Sequence, residues 1–396
     1  MMCKSRVRIL ALATIAFCIG HATGRRPPEG RTFQRVGKDL ATAYMDRLYP
    51  SAHAANLLLL ENGDVLCFWF SGTGEGESNV AIVMARLQRG RDTWSKPVLV
   101  DRRAGESFQN PVAFQDKAGL ISLFHTAQAA GQGQAHARVM ELSSSDEGET
   151  WSDSRVVFAS PGSFTRQPVV VTVEGTWLLP LFYAPSGDIV TGAESHYSVV
   201  KLSSDRGKTW RECRIPNSSG LVHPNVIKLD PHRYLAFLRS RYADFIYQSS
   251  SADGCAWSKP MPTALPNNNA SIQAVRLANG HLVMAFNNSS ADGKSRKPAT
   301  ARRFPLSVAL SVDEGETWCW VRDLESGNTR TPGDESQSEE GTDEFSYPAI
   351  VQLPSGSILV AYTYRRLTIK IARFEESWIK QNLTTGSYQG SCAGHS

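Results

Sequence analysis

Three octets of one design constrain this chain more than any other feature. They are Ser144-Ser145-Asp146-Glu147-Gly148-Glu149-Thr150-Trp151, Ser203-Ser204-Asp205-Arg206-Gly207-Lys208-Thr209-Trp210 and Ser311-Val312-Asp313-Glu314-Gly315-Glu316-Thr317-Trp318. Each reads S-x-D-x-G-x-T-W. Such an octet makes a tight hairpin turn. The Asp carboxylate accepts hydrogen bonds from N–H groups inside the turn, the Gly supplies a positive φ, and Ser and Thr add local bonds. The Trp then plugs the turn onto the body of a sheet. A turn of fixed design that recurs means a structural unit that recurs.

Two weaker turns extend the series. Arg91-Asp92-Thr93-Trp94-Ser95 keeps the Thr-Trp end, and Ser250 to Trp257 keeps Ser250, Gly254 and Trp257 but carries Ala252 at the Asp place. The tryptophans at 94, 151, 210, 257 and 318 are then 57, 59, 47 and 61 residues apart, about the length of one propeller blade. A second repeat is independent of the first. Six times a short strand, a turn and an apolar strand follow one another: Ala54 to Phe70, Asn110 to Phe124, Gln167 to Phe182, His223 to Leu238, Ser271 to Phe286 and Tyr347 to Tyr362. Runs such as Leu179-Pro180-Leu181-Phe182 read as strands buried on both faces. The expectation is all-β: a six-bladed β-propeller of four-stranded antiparallel blades, since a β-sandwich does not repeat at blade length. The octets and their spacing resemble the Asp-box (BNR) repeats of the sialidase (neuraminidase) superfamily, in its bacterial-type branch, over about Arg47 to Phe374. An Asp-box marks a fold; activity has to be argued from other residues.

The remaining sequence sets boundaries. Lys4, Arg6 and Arg8, the apolar run Ile9 to Ile19 and the small residues Ala22-Thr23-Gly24 read as a secretory signal over 1–24, too short to span a bilayer. A loose leader over 25–46, a propeller over 47–375 and a tail over 376–396 follow. A secreted product without a membrane span is expected. Cleavage takes the formal charge from +4 to +1, which leaves no nucleic-acid footprint. Cys67, Cys213, Cys255, Cys319 and Cys392 remain; five is odd, so at least one is free or pairs between chains. Their spacing suits no zinc site, and neither a metal nor a cofactor is indicated. Sequons stand at Asn217, Asn269, Asn287, Asn288 and Asn382. The polar stretch Glu325 to Glu344 reads as a long surface loop able to cover the axial face.

In a propeller the start of each innermost strand points at the central axis. Through the six repeats that place falls on His53, Asn110, Gln167, His223, Ser271 and Tyr347, a polar ring. Arg239 and Arg241 follow the apolar strand Tyr234 to Leu238, and Arg303 precedes the strand of the last octet. In sialidases arginines at the places of Arg239 and Arg303 grip the substrate carboxylate, for which the guanidinium fork is suited. Tyr347, in Phe345-Ser346-Tyr347-Pro348, matches the superfamily's nucleophilic tyrosine. The resemblance also has gaps. The place of the base that serves that tyrosine falls on His223, an arginine place falls on His53, and the acid/base aspartate is missing, with Glu75 and Glu77 the nearest acids. The expectation is therefore that His223 activates Tyr347 and that Glu75 or Glu77 acts as acid/base. Arg166, beside Gln167, and Arg366, after Tyr364, would help shape a pocket for an anionic, polyhydroxylated ligand.

Three functions fit these residues. One is a sialidase-like hydrolase of terminal sialic acid or a related 2-keto acid sugar. The second is a hydrolase or lyase of another acidic glycan working through His53 and His223. The third is a non-catalytic carbohydrate-binding propeller. Sialylated or other acidic glycans are the expected partners.

Overall fold

The computed structural model describes residues 30–186, 192–291, 298–327 and 343–381, so the segment 1–24 expected to be a signal and most of the polar stretch before Glu344 lie outside the described residues. Six antiparallel sheets follow one another along the chain. Blade 1 runs Ser51–Leu59, Val65–Gly72, Ala81–Leu87 and Val98–Asp101; blade 2 runs Glu106–Gln115, Ile121–Ala129, Arg138–Ser144 and Arg155–Phe158. Blade 3 has its inner strand split into Ser163–Thr165 and Val170–Val171, followed by Trp177–Tyr183, Tyr197–Ser203 and Arg211–Arg214. Blade 4 is Leu221–Asp230, Arg233–Ser240, Phe245–Ser251 and Met261–Pro266, and blade 5 is Gln273–Arg276, Leu282–Asn287, Leu306–Ser311 and Trp320–Glu325. Blade 6 takes Phe345–Gln352, Ile358–Tyr364 and Thr368–Phe374 from the end of the chain and its outer strand, Leu40–Tyr44, from the beginning. The expected six-bladed propeller is what the chain forms.

That outer strand alters the expected boundaries. Part of the segment read as a loose leader closes the ring, with Leu40 paired to Phe374 and Tyr44 to Lys370. Without it the strand Thr368–Phe374 would be a long apolar edge open to misassociation, and the pairing covers it. At the other end, the helix Glu376–Lys380 buries Trp378 and Ile379 against blades 5 and 6. The start of the expected tail is thus packed on the core.

The octets form the turns between the third and fourth strands. In the first, Ser144 Oγ donates to Asp146 Oδ1 at 2.7 Å, the Gly148 N–H donates to Ser144 Oγ at 2.8 Å and the Thr150 N–H to Asp146 Oδ1 at 2.9 Å. The other two repeat this set. Blade 4 has a shorter copy in a register one residue later than expected: Ser251 and Asp253 do the work, with Gly254, Cys255 and Ala256 N–H groups as donors. Ala252 is therefore not in the Asp place. Each octet tryptophan wedges between its own blade and the one before. Trp151 meets Phe68 at 5.8 Å, Trp210 meets Phe124 at 6.2 Å and Trp318 meets Phe237 at 5.8 Å, all edge-on. A disulfide between Cys213 of blade 3 and Cys255 of the blade 4 turn staples two blades on the same face. Cys67 is free and buried.

Candidate active site

Strand direction puts the octet turns at one end of the propeller and the starts of the inner strands at the other. At that second end four inner strands slip register by a β-bulge, and the bulged residue has a positive φ: Ala54 (59°), Asn110 (50°), His223 (54°) and Tyr347 (53°). A proline follows in the last three, and it has no N–H to give to the ladder, so the pairing breaks there. Two residues on, Asn56, Asn225 and Gln273 accept from the next blade's backbone at Ala113, Ala274 and Ile350. This rung fixes the alignment. The axial residue of blade 1 is Ala54, and His53, expected there, lies one place earlier. The ring is thus polar at five places and methyl at the sixth.

Tyr347 is the centre of the site. Arg239 Nη1 donates to its hydroxyl at 2.7 Å, while Arg239 Nε is held by Asn269 Oδ1 at 2.9 Å. The guanidinium carbons of Arg166, Arg303 and Arg239 lie 5.4, 5.4 and 5.6 Å from the tyrosine ring centroid. Glu344, at the start of the same blade, bridges Arg303 Nη1 at 2.6 Å and Arg366 Nε at 2.9 Å, and accepts from Ser346 Oγ at 2.7 Å. Arg366 Nη1 goes on to Glu75 Oε2 at 2.6 Å. Burial alone would raise the Tyr347 phenol. The charges of Arg239 and Arg303, with Arg241 behind them, outweigh burial and the opposing charge of Glu75, and bring it below its ordinary value. Glu344 behaves alike: burial raises its carboxyl, but Arg303 and Arg366 overcome that and hold it low. Counting Arg241, five guanidinium groups face two carboxylates, so the site carries a positive surplus suited to an anion.

The histidines behave differently from the expectation. His223 meets the Tyr347 ring edge-on at 5.8 Å and Phe182 at 4.7 Å, and its Nδ1 is buried without a hydrogen-bond partner. The Tyr347 hydroxyl bonds to Arg239, not to His223. Burial, then Arg239 and Arg241, push the His223 imidazole well below its usual range. An imidazole so depressed is a weak base for a phenol proton. His53 lies 4.2 Å from the Tyr347 ring and its Nδ1 is 2.7 Å from Thr363 Oγ1, while Nε2 is buried without a partner. Burial and Arg366 depress it as well. Both rings wall Tyr347 as neutral groups.

The other expected residues divide. Arg239 and Arg303 converge on Tyr347, and Arg366 joins them through Glu344 and carries Glu75 on its other side. Glu77 is exposed, its side chain against Gly74, outside this network. Arg241 is buried 5.9 Å from the Phe182 ring with Nε unpartnered. Arg166, Gln167 and Ser271 do not line the mouth. Arg166 bonds to Ser271 Oγ and three backbone carbonyls, and Gln167 Nε2 to the Ile272 carbonyl at 2.6 Å, so these side chains join blades to one another. Asn110 is on the ring, nearly buried. Among the sequons, Asn269 and Asn287 are buried with their amides donating to the Ala299 and Phe345 carbonyls, so neither is open to a glycan. Glu344 is the residue the sequence reading missed. It was placed in the polar loop, although it lies three residues before Tyr347. Among the described residues no group of three or more His, Cys, Asp or Glu is arranged to hold a metal ion, and no helix is long and apolar enough to cross a membrane.

These features can be set beside known proteins. The family model of the BNR repeat-like domain matches residues 63–360. No curated protein matches the sequence. Among solved structures, the NanB sialidase of Streptococcus pneumoniae superposes with a TM-score of 0.67 at 13% identity, covering 88% of this chain and 71% of that one. The leech intramolecular trans-sialidase gives 0.65 at 15% identity, over 85% and 70%. A Dyadobacter fermentans protein of unknown function gives 0.66 at 16% identity, over 87% of this chain and 99% of its own. At these identities the likeness is one of fold. The chain belongs to the family of the BNR repeat-like domain.

Proposed function

We propose that the protein is a sialidase-like glycoside hydrolase that removes a terminal sialic acid or a related 2-keto acid sugar. The observation that carries this reading is the Tyr347 hydroxyl held at 2.7 Å by Arg239 amid a surplus of guanidinium groups. The sugar carboxylate would lie against Arg239, Arg303 and Arg366. Arg366 takes on the task that the resemblance assigned to the place of His53. Its backbone carbonyl accepts the Ala52 N–H at 2.9 Å, so its side chain enters the site beside the first strand. The NanB sialidase and the leech trans-sialidase share this fold.

In this reading the Tyr347 phenol proton passes through solvent to Glu75, and the phenolate oxygen attacks the anomeric carbon. The bond to the aglycone oxygen breaks, and Glu75 supplies the proton that oxygen needs. Water then attacks the same carbon, gives its proton back to Glu75, and frees Tyr347. The arginines offset the charge of the phenolate and of the sugar carboxylate alike, which lessens the repulsion between them. The arginines do the work expected of a base, by favouring the phenolate. The test is release of free sialic acid from both common linkage isomers of sialyllactose, with Tyr347→Phe beside the wild type. The reading requires release by the wild type and a fall of about a thousandfold or more in the variant, the order lost when a covalent nucleophile is removed. Release unaffected by Tyr347→Phe contradicts it.

A second reading is a lyase acting on a uronic acid glycan, with His53 and His223 as proton carriers. The two unpartnered buried imidazole nitrogens on either side of Tyr347 favour it. It predicts ultraviolet absorbance from a new carbon–carbon double bond in the product, which hydrolysis does not form.

A further inference from the structure

Arg166 follows the short strand Ser163–Thr165 of blade 3, and its side chain crosses beneath the axis. Nε donates to Ser271 Oγ of blade 5 at 3.1 Å, and Nη1 to the Ala55 carbonyl of blade 1 at 3.1 Å. Nη2 donates to the Tyr347 and Pro348 carbonyls of blade 6, both at 3.0 Å. One guanidinium thus ties four blades together. The residue is 1% exposed, and every acceptor it uses is neutral.

That is an expensive arrangement if its purpose is stability alone. A buried cation without a carboxylate partner is strongly destabilising, and apolar side chains fill such a space at lower cost. The charge has a use only if something nearby becomes negative. The nearest such group is the Tyr347 ring, 5.4 Å away. The same side chain also holds the carbonyl of the left-handed Tyr347 and that of Pro348 after it, so it fixes the backbone from which the phenol points.

We propose that Arg166 is a positioning residue, an axial clamp that orients Tyr347 from below and supplies counter-charge to its phenolate. It need not touch substrate. The electrostatics agree: burial brings the guanidinium down to about 10, and the Tyr347 charge opposes that fall. Tyr347 is faced by Arg239, Arg241 and His223 of blade 4, by Arg303 ahead of the third strand of blade 5, by His53 and Glu75 of blade 1, by Glu344 of its own strand and by Arg166 below. Arg166 meets both the backbone and the ring of Tyr347.

The test needs no substrate, so it stands apart from the sialidase reading. Phenol ionisation is followed by ultraviolet difference absorbance in the wild type and in Tyr347→Phe; subtraction isolates one of the 11 tyrosines. The same pair is then measured in an Arg166→Met background. The expected result is that the Tyr347 titration moves up by about one pH unit or more, a tenfold loss of phenolate at a given pH. A merely structural arginine would lower the melting temperature and leave the phenol titration where it was, and that result overturns the proposal. Should Arg166→Met fail to fold, Ser271→Ala carries the test. It removes one anchor of the clamp and keeps the charge. The Tyr347 ring resonances in a nuclear magnetic resonance spectrum are expected to broaden or shift in that variant, and unchanged resonances overturn the clamp.

Discussion

The two ends of the propeller are built by opposite rules. At the end with the octets, each turn satisfies itself. The bonds of Ser144, Asp146, Gly148 and Thr150 span two to four residues, and the other two octets repeat them. At the axial end the contacts that build the site are mostly long-range. Arg239 meets Tyr347 across 108 residues, Arg366 meets Glu75 across 291 and Thr363 meets His53 across 310. Local bonds set a fold one blade at a time. A site made of long-range contacts exists only once the ring has closed. The groups buried without partners also differ in kind: at the octet end they are the indole N–H groups of Trp94, Trp151 and Trp318, and at the axial end they are the titratable or amide groups His53 Nε2, His223 Nδ1, Arg241 Nε and Gln167 Oε1. Buried polar groups left unpaired are costly and tend to mark places kept for function.

This contrast predicts that changes at the octet end cost stability and spare turnover, and that changes at the axial end do the reverse. The largest effect expected is from Cys213→Ser. The staple joins residues 42 apart, and on the chain-entropy model its loss costs about 4 kcal/mol. Chemical denaturation should read that loss, with kcat unchanged under native conditions. A fall in kcat at full folding would break the comparison.

Next comes Arg239→Ala. It removes a preorganised donor to Tyr347 and one wall of the anion site, and kcat/KM should fall by about a hundredfold to a thousandfold. Arg239→Lys should recover little of it, because an ammonium cannot hold Asn269 and Tyr347 at once. Recovery to near wild-type rates by the lysine would show that charge alone matters.

A smaller effect concerns acid. His53 and His223 are held well below their unfolded values by burial and by arginines. The unfolded chain therefore takes up protons first as pH falls, and stability is lost from about pH 6.5 downward. His223→Gln should flatten that slope in a series of thermal melts, and an unaltered slope would mean that the imidazole is charged in the fold. The smallest effect is from Asp146→Ala. Its carboxyl is lowered to about 2, first by the Thr150 and then by the Ser144 hydroxyl, and the group is fully exposed. Its contribution is present above the unfolded value near 4 and disappears as pH falls toward about 2. A slight drop in melting temperature at neutral pH, absent near pH 2, is expected, with kcat/KM unchanged.

The same contrast explains what could be read from the sequence. Blade number and strand order were legible because the octets and the inner-strand repeats recur in sequence with their chemistry intact. The blade 4 turn was read one residue early because Ser250 and Ser251 both offer a hydroxyl, and only the contacts show that Ser251 and Asp253 pair. Ala54 was passed over because a methyl group gives no sign of an axial place; the bulge that puts it there is a backbone event. Closure by Leu40–Tyr44 was hidden because a strand that pairs with the far end of the chain leaves no local trace. Tyr347, Arg239 and Arg303 were found through resemblance, whereas the bridge from Glu344 to Arg366 joins two blade 6 segments and needed coordinates. His223 was given to Tyr347 as a base on type and place, but the hydroxyl's partner proved to be an arginine.

The central claim is that Tyr347 forms a covalent bond to the sugar. The direct measurement is intact-protein and peptide mass after incubation with a sialic acid derivative that carries fluorine at the anomeric carbon and at its neighbour. The second fluorine slows breakdown, while the anomeric fluoride leaves as the Tyr347 oxygen attacks. The account predicts a mass increase of one fluorosugar on the peptide that contains Tyr347, absent in Tyr347→Phe. An adduct on any other residue, or no adduct, contradicts it.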